Sequence, residues 1–442
     1  MRYAFAYGAD AVYAGQPRYS LRVRNNDFLE DNLRLGIAEA HRLGKRFYLA
    51  VNILPHNSKL KTFVNDIGRI VAMGPDALIM ADPGLIMLAR EHWPHLPVHL
   101  SVQANTMNWA AVKFWQSAGI SRIILSRELS LDEIAEIRQR CPEMELETFV
   151  HGALCIAYSG RCLLSGYFNH RDPNQGTCTN ACRWKYAATP AAENAEGDFF
   201  APPSPATTEE EGEALGVSWS ELSKADCGGA ERHPLADRVY LLEEENRPGE
   251  FMPVMEDEHG TYIMNSKDLR AIEHVRRLIE IGVDSLKIEG RTKSHYYVAR
   301  TAQSYRQAID DALADREFDP RLLGVLENLA QRGYTDGFYQ RHHTHEYQNY
   351  MRGYSQSHRQ QFVGEITGFD PETGLAEVLA KNKFAVGDRL ELISPEGNRD
   401  IVLENMQDKH GEPLQEAPGG GWEVRIPLPA HSAEKGLLAK YL

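Results

Sequence analysis

Residues 77–105 read ALIMADPGLIMLAREHWPHLPVHLSVQAN. Ala77–Ala81 is an apolar run of strand length, too short for a helix. Asp82-Pro83 is a helix-opening pair, and Pro83–His92 carries a helical pattern. Val98–Gln103 is a second strand candidate. Polar residues stand at or just past the end of each run: Asp82 after the first, Gln103 with Asn105 at the second. Strand, helix and next strand within about 30 residues make one βα unit.

The unit repeats on both sides. Further strand candidates are Asp10–Gly15, Arg46–Ile53, Arg122–Ser126, Glu145–Val150 and Ser285–Ile288. Between them lie the helical patterns Asp31–Leu43, Lys59–Met73, Asn108–Gly119 and Leu131–Arg140, with Gly44, Gly74 and Gly119 at helix C-cap positions. Repeated βα units mean a parallel sheet, either doubly wound or closed as a barrel. No glycine-rich phosphate fingerprint follows a strand, which counts against a dinucleotide-binding sheet. Asn52, Asp82, Gln103 with Asn105, Arg127 with Glu128, and His151 lie where a TIM-like (β/α) barrel places its active site. Helix capping is an equal explanation for Asp82 and for Ser130. A helical pattern, Arg2–Tyr7, precedes the first strand, so at most seven barrel strands are counted: either the natural first strand is lacking here or an eighth comes from elsewhere.

The chain has 442 residues, a formal net charge of -14 and 25% charged residues, with 43% hydrophobic. That is ordinary globular composition, long enough for two or three domains. No run of about 18 apolar residues occurs, so no membrane-spanning helix is expected. With no basic-then-apolar leader, a cytoplasmic location is expected. The acidic balance excludes a general nucleic-acid coat and leaves room for a local basic groove.

The composition divides the chain. Residues 1–186 form the N-terminal part of the barrel with a cysteine cluster. Residues 187–232, rich in Ala, Glu, Pro, Ser and Thr, are expected to be a flexible insertion. Residues 233–330 complete the barrel: Leu235–Glu245 and Glu250–Met264 as β structure rejoining it, Asp268–Ile281 and Tyr296–Ala314 as helices. Residues 331–359 are a linker in which basic and aromatic side chains interleave (Arg332, Tyr334, Tyr339, Arg341). Such a segment either straps the barrel or stacks on unpaired RNA bases. In 360–442, period-two alternation in Phe362–Thr367, Leu375–Leu379, Arg389–Ile393, Arg399–Leu403 and Trp422–Ile426 predicts a small all-β barrel.

Six cysteines are present, four of them between Cys155 and Cys182. Cys155 and Cys162 are six residues apart in the sense Cys-x6-Cys, and Cys178 and Cys182 form Cys-x3-Cys. Four thiolates can enclose an iron–sulfur cluster or zinc. The Cys-x6-Cys arm is loose for a zinc ribbon, which favours iron–sulfur over structural zinc or reduced core cysteines. Cys141, before Pro142, reads as an unconnected thiol, and Cys227 as a reserve ligand.

Glu147-Thr-Phe-Val-His-Gly-Ala-Leu-Cys155, Ile156–Ser165, Leu100–Asn105, Leu125–Ser130 and Ser285-Leu-Lys-Ile-Glu-Gly-Arg291 together resemble the collagenase-like peptidase family of unassigned catalytic type. The resemblance runs from Ala9–Gly15 to the C-terminal β module. It implies an RNA-modifying enzyme that converts wobble uridine (position 34) of tRNA to 5-hydroxyuridine without molecular oxygen, in a prephenate-linked reaction. It implies a [4Fe-4S] cluster on Cys155, Cys162, Cys178 and Cys182, with Cys227 as substitute. The partners implied are the tRNA anticodon loop, prephenate as source of the oxygen donor, and iron–sulfur assembly proteins. Arg22, Arg24, Arg127 and Arg291 are candidates for binding its carboxylates. Gln103 and Asn105 are further substrate-binding candidates, and Glu128, His151 and Lys287 candidate proton carriers. Other readings are a peptidase, with Cys155 and His151 as a thiol pair, and a non-catalytic RNA-binding protein holding zinc. Neither a His-Glu-x-x-His nor a Gly-x-Ser-x-Gly motif is present to support the peptidase.

Overall fold

A computed structural model describes residues 1–442 except 17, 21–28, 54, 154–185, 191, 194–198, 201–239, 245–250, 258–259, 264–267, 291–292, 328, 330–333, 341–359 and 429–434. The βα units fall where the apolar periodicity puts them. They are α1 (Arg2–Ala6), β1 (Ala11–Gly15), α2 (Glu30–Arg42), β2 (Arg46–Val51), α3 (Asn57–Val71), β3 (Ala77–Met80) and α4 (Pro83–His92). Then come β4 (Val98–Leu100), α5 (Trp109–Ser117), β5 (Arg122–Ile124), α6 (Leu131–Arg140) and β6 (Glu145–Ala153), and later α7 (Val275–Ile281), β7 (Ser285–Ile288) and α8 (His295–Leu313).

Local chemistry sets the helix starts. The Asp82 carboxylate accepts from the Leu85 amide, with Pro83 at the first helical position. Ser130 and Glu133 form a reciprocal capping box at α6. The helices then bury one stripe each: Leu33, Ile37 and Ala40 of α2, and Phe63, Ile67 and Ile70 of α3, lie against Phe47, Leu49, Leu78 and Met80 of the strands. Each of the Leu, Ile, Phe and Met side chains contributes about 1.5–3 kcal/mol on burial.

Strands β1 to β7 are hydrogen-bonded in chain order, all parallel, in a mixed α/β sheet with a barrel-like course. The sheet is mixed because the end of β6 also pairs antiparallel with Asp268–Arg270, which in turn pairs parallel with Tyr334–Thr335. The helix expected over Asp268–Ile281 therefore starts as a strand, and its α-helical part is only α7. The expected strand Val98–Gln103 is shorter too. Val102–Ala104 is a 3-10 turn closed by Asn105 in the left-handed conformation (φ 52°). The β structure expected to rejoin the barrel forms a separate sheet instead: Tyr186–Pro190, Tyr240–Glu244, Phe251–Asp257 and Gly260–Ile263 pair antiparallel. Among the described residues no helix is long and apolar enough to cross a membrane.

The C-terminal unit is an antiparallel sheet with its own core. Its strands are β8 (Gln360–Asp370), β9 (Leu375–Ala380), β10 (Arg389–Ile393), β11 (Arg399–Val402), β12 (Trp422–Pro427) and β13 (Leu437–Tyr441), in the order β11-β10-β13-β8-β9-β12. It docks on α1 and α8. Tyr7 and Tyr296 pack with Ile393, Leu437 and Ala439. The Tyr7 hydroxyl is shared between the carbonyls of Lys435 (2.8 Å) and Ile393 (3.0 Å), and Tyr3 donates to Glu365 (2.8 Å). Arg300 of α8, 1% exposed, donates to both Glu391 oxygens (3.0 and 2.8 Å), and Gln360 donates to the same carboxylate (2.7 Å).

Candidate active site

Because the strands are parallel, their C-terminal ends gather at one edge of the sheet. A cavity of about 1470 Å³ opens between β1 and β7 and extends to those ends. Tyr13, Asn52, Gln103, Arg127, Lys287 and Glu289 are among its lining residues.

Charged residues at alternate strand positions form its floor. Arg122 on β5 pairs in register with Glu145, and Ile124 with Glu147. The Glu147 carboxylate, buried, accepts from Lys287 Nζ (2.7 Å) and from Arg122 Nη1 (3.2 Å), while Arg122 Nε donates to Glu145 (2.8 Å). Burial alone would raise the Glu147 pKa. The charge and hydrogen bond of Lys287, with Arg122 and His99, overrule it and hold the group at about 2. Lys287 also lies 3.8 Å from the Tyr13 ring centroid, and Tyr13 donates to Glu289 (2.9 Å). Gly152 lets Glu289 come this close. Its φ is +112°, and a Cβ there would stand 2.5 Å from the Glu289 carbonyl oxygen. Gly152→Ala is expected to destabilise the fold by at least the 1–3 kcal/mol of backbone strain, about what a forced left-handed residue costs. Thermal denaturation checks this; an unchanged midpoint would contradict it.

At the mouth, Gln103 Oε1 accepts from Asn52 Nδ2 (2.6 Å) and from Ser101 Oγ (2.7 Å). Arg127 lies with its Cζ 3.9 Å from the Phe149 ring centroid, and its buried Nε has no hydrogen-bond partner among the described residues. The structure thus brings Gln103, Arg127 and Lys287 to one cavity. Asn105, Glu128 and His151 do not line it. Asn105 shapes the loop instead, its Nδ2 donating to the Gln103 carbonyl (3.2 Å). Arg22, Arg24, Arg291, Cys155, Cys162, Cys178, Cys182 and Cys227 lie outside the described residues. Among the described residues no group of three or more His, Cys, Asp or Glu could hold a metal. Cys141 is a buried free thiol.

His151, on β6, is buried among the rings of Tyr297, Tyr305 and Tyr334. Tyr305 Oη donates to the Val150 carbonyl (2.6 Å) and lies 3.3 Å from His151 Nδ1; Tyr334 Oη lies 3.3 Å from Nε2. With the Tyr305 proton already spent, Nδ1 carries the imidazole proton and Nε2 accepts from Tyr334. Burial, then Arg270 and Lys293, lower its pKa to about 3. Burial and Arg122 do the same for His99, also to about 3. Each imidazole takes up its proton near pH 6.5 when unfolded but only near pH 3 when folded. Stability from this source is therefore full above pH 6.5 and falls as pH drops from 6.5 toward 3. Chemical denaturation between pH 7.5 and 5 is expected to show that loss, reduced in His151→Phe. A flat profile would sink it.

Sequence reading missed Tyr13, Ser101, Arg122 and Glu147. The available signal was Arg122, Glu145, Glu147 and Lys287 inside otherwise apolar strands, where charge is rare unless paired.

Residues 1–349 match the sequence family described as Peptidase family U32, and residues 358–440 match the Peptidase family U32 C-terminal domain. The chain belongs to peptidase family U32. Within that family it is similar to tRNA hydroxylation protein P of Escherichia coli, 62% identical over 97% of this chain and 91% of the relative. The protein of that name from Haemophilus influenzae is 59% identical over the same shares. A more distant relative is the E. coli 23S rRNA 5-hydroxycytidine C2501 synthase, 30% identical over 71% of this chain and 38% of the relative. The family resemblance read from the strand-end motifs is thereby confirmed over both units.

Proposed function

We propose that this chain is a tRNA-modifying enzyme that replaces the C5 hydrogen of wobble uridine with hydroxyl, giving 5-hydroxyuridine. The observation that carries this is 62% identity over 97% of the chain with a tRNA hydroxylation protein. The cavity supports it: strand-end polar groups, an Arg127 guanidinium without an ion pair among the described residues, and a charged floor suit a polar, anionic substrate. The reaction is a two-electron oxidation of the base: a prephenate-linked oxygen-atom donor, rather than molecular oxygen, would transfer its oxygen to C5 and leave reduced by two electrons, while the C5–H bond is replaced by C5–OH. Arg22, Arg24, Arg127 and Arg291 would bind the donor's carboxylates; of the expected proton carriers Lys287 is the one that lines the cavity, whereas Glu128 and His151 would have to act from outside it.

Four thiols within one short segment are a donor set that suits a [4Fe-4S] cluster. Cys155 follows two residues after the end of β6, whose strand lines the cavity. Cys155, Cys162, Cys178 and Cys182 would hold the cluster, loaded by iron–sulfur assembly proteins, and it would supply one-electron redox capacity. In this reading the sheet closes as a TIM-like (β/α) barrel carrying a cysteine-rich insertion, and the protein works in the cytoplasm.

The test is expression in cells that lack their own tRNA hydroxylation, with and without oxygen, followed by mass spectrometry of tRNA nucleosides. 5-Hydroxyuridine is expected in both conditions. Its absence despite soluble protein, or hydroxycytidine in ribosomal RNA instead, would overturn the reading. Anaerobically purified protein is expected to carry about four iron and four sulfide, lost in Cys155→Ala. One zinc without iron would overturn the cluster.

A further inference from the structure

We infer that Gln103 reads the pyrimidine at its C4 substituent and selects uridine over cytidine. The inference rests on the proposed function and names how that site chooses its base.

An amide oxygen has two lone pairs, and both are filled on Gln103: Asn52 Nδ2 donates at 2.6 Å and Ser101 Oγ at 2.7 Å. What Gln103 retains for the cavity is its NH2 group, a pure donor. One of the anchors is itself held. Ser101 is 3% exposed, its amide donates to the Met80 carbonyl (2.7 Å), and its single hydroxyl proton goes to Gln103. Turning the Gln103 amide over would set donor against donor at Asn52. In this arrangement the end of β4 presents a donor to the cavity.

The neighbouring strand end supplies a flat surface. β4 and β5 are paired, and Arg127 follows β5 with its guanidinium 3.9 Å from the centre of the Phe149 ring. A guanidinium plane stacked on one face offers its other face to a nucleobase. Both Arg127 and Gln103 line the cavity. A base resting on Arg127 with its C4 edge toward Gln103 has its C5, the carbon to be hydroxylated, next to the reading contact. Uracil carries an acceptor at C4, which the amide donor matches. Cytosine carries an amino donor there, which meets the Gln103 NH2 with like polarity.

The test is Gln103→Glu in the full chain, expressed in cells lacking their own tRNA hydroxylation together with one tRNA in two versions, U34 and C34. The carboxylate keeps both acceptor contacts to Asn52 and Ser101 and turns the cavity-facing donor into an acceptor. Wild type is expected to hydroxylate U34 on the order of 10- to 100-fold more than C34, the discrimination one well-placed base contact gives. In Gln103→Glu that ratio should fall by at least tenfold. Ser101→Ala, which keeps the glutamine but frees one lone pair, should lower the ratio by less. A merely structural role would lower both products together at constant ratio, and that result overturns the proposal. So does equal hydroxylation of U34 and C34 by wild type. A soluble wild type that hydroxylates neither overturns the proposed function, and this inference with it. Affinity of the purified proteins for U34 and C34 anticodon stem-loops gives a second readout, with the same ratio change expected if the variant is folded but slow.

Discussion

Lys287→Met is expected to destabilise the protein by about 3–5 kcal/mol at neutral pH, toward the low end of that range. Lys287 Nζ is 2.7 Å from Glu147 inside the sheet, where both residues are nearly solvent-free. Removing the cation strands a carboxylate in a medium that solvates it poorly. Arg122, 3.2 Å away, remains as partial compensation. Methionine preserves the stem packing against Tyr13, so the loss reports charge rather than volume. The pH dependence separates this account from a packing defect. In the wild type the Glu147 pKa is about 2 when folded, against an unperturbed 4.5. Its contribution is complete above pH 4.5 and disappears as pH falls toward 2. The gap between wild type and variant should therefore be widest near pH 7 and shrink below pH 4.5. Removing both charges, in Lys287→Met with Glu147→Leu, should recover part of the loss. Denaturant titrations at pH 7 and pH 4 decide it; a pH-independent gap would refute the electrostatic account.

Arg300→Met is the second large effect, with about 3–5 kcal/mol expected for stranding Glu391. The guanidinium makes a two-pronged contact with Glu391 on β10 and a longer one with Gln360 on β8 (3.4 Å), all buried at the junction of the two units. Arg122 and Lys287 act within one sheet, whereas Arg300 joins two separately cored units. Its loss should appear as the splitting of one calorimetric transition into two, because each unit keeps its own core. Arg300→Met with Glu391→Met should bring the transitions back together. A variant that melts in one unshifted transition would show that the apolar contacts of Tyr7 and Tyr296 suffice.

Much of the fold was legible because its signals are local. α4 and α6 start and stop where the sequence indicates, since Asp82-Pro83 and the Ser130–Glu133 box act within one turn. β4 ended early because a left-handed Asn105 has no signal in apolar periodicity. Asp268–Arg270 read as helix because its strand character comes from pairing with β6, more than a hundred residues earlier. The site divides the same way. Gln103 and Arg127 follow from the rule that function gathers at strand ends. The Glu147–Lys287 pair spans 140 residues, and the tyrosines whose hydroxyls lie beside the His151 nitrogens come 154 and 183 residues after it. Such partners are set by the sheet's course, not by spacing.

The docking of α1 also fixes an order of events during synthesis. Tyr7 reaches Ile393, 386 residues later in the chain. At roughly 5–20 residues per second, about 20–80 s separate translation of the two. Helix α1 therefore waits over that interval for the part of its packing surface that the C-terminal unit supplies. Over that interval the side of α1 that meets the C-terminal unit is a natural ligand for chaperones, and synthesis that stops before β13 leaves that contact unmade.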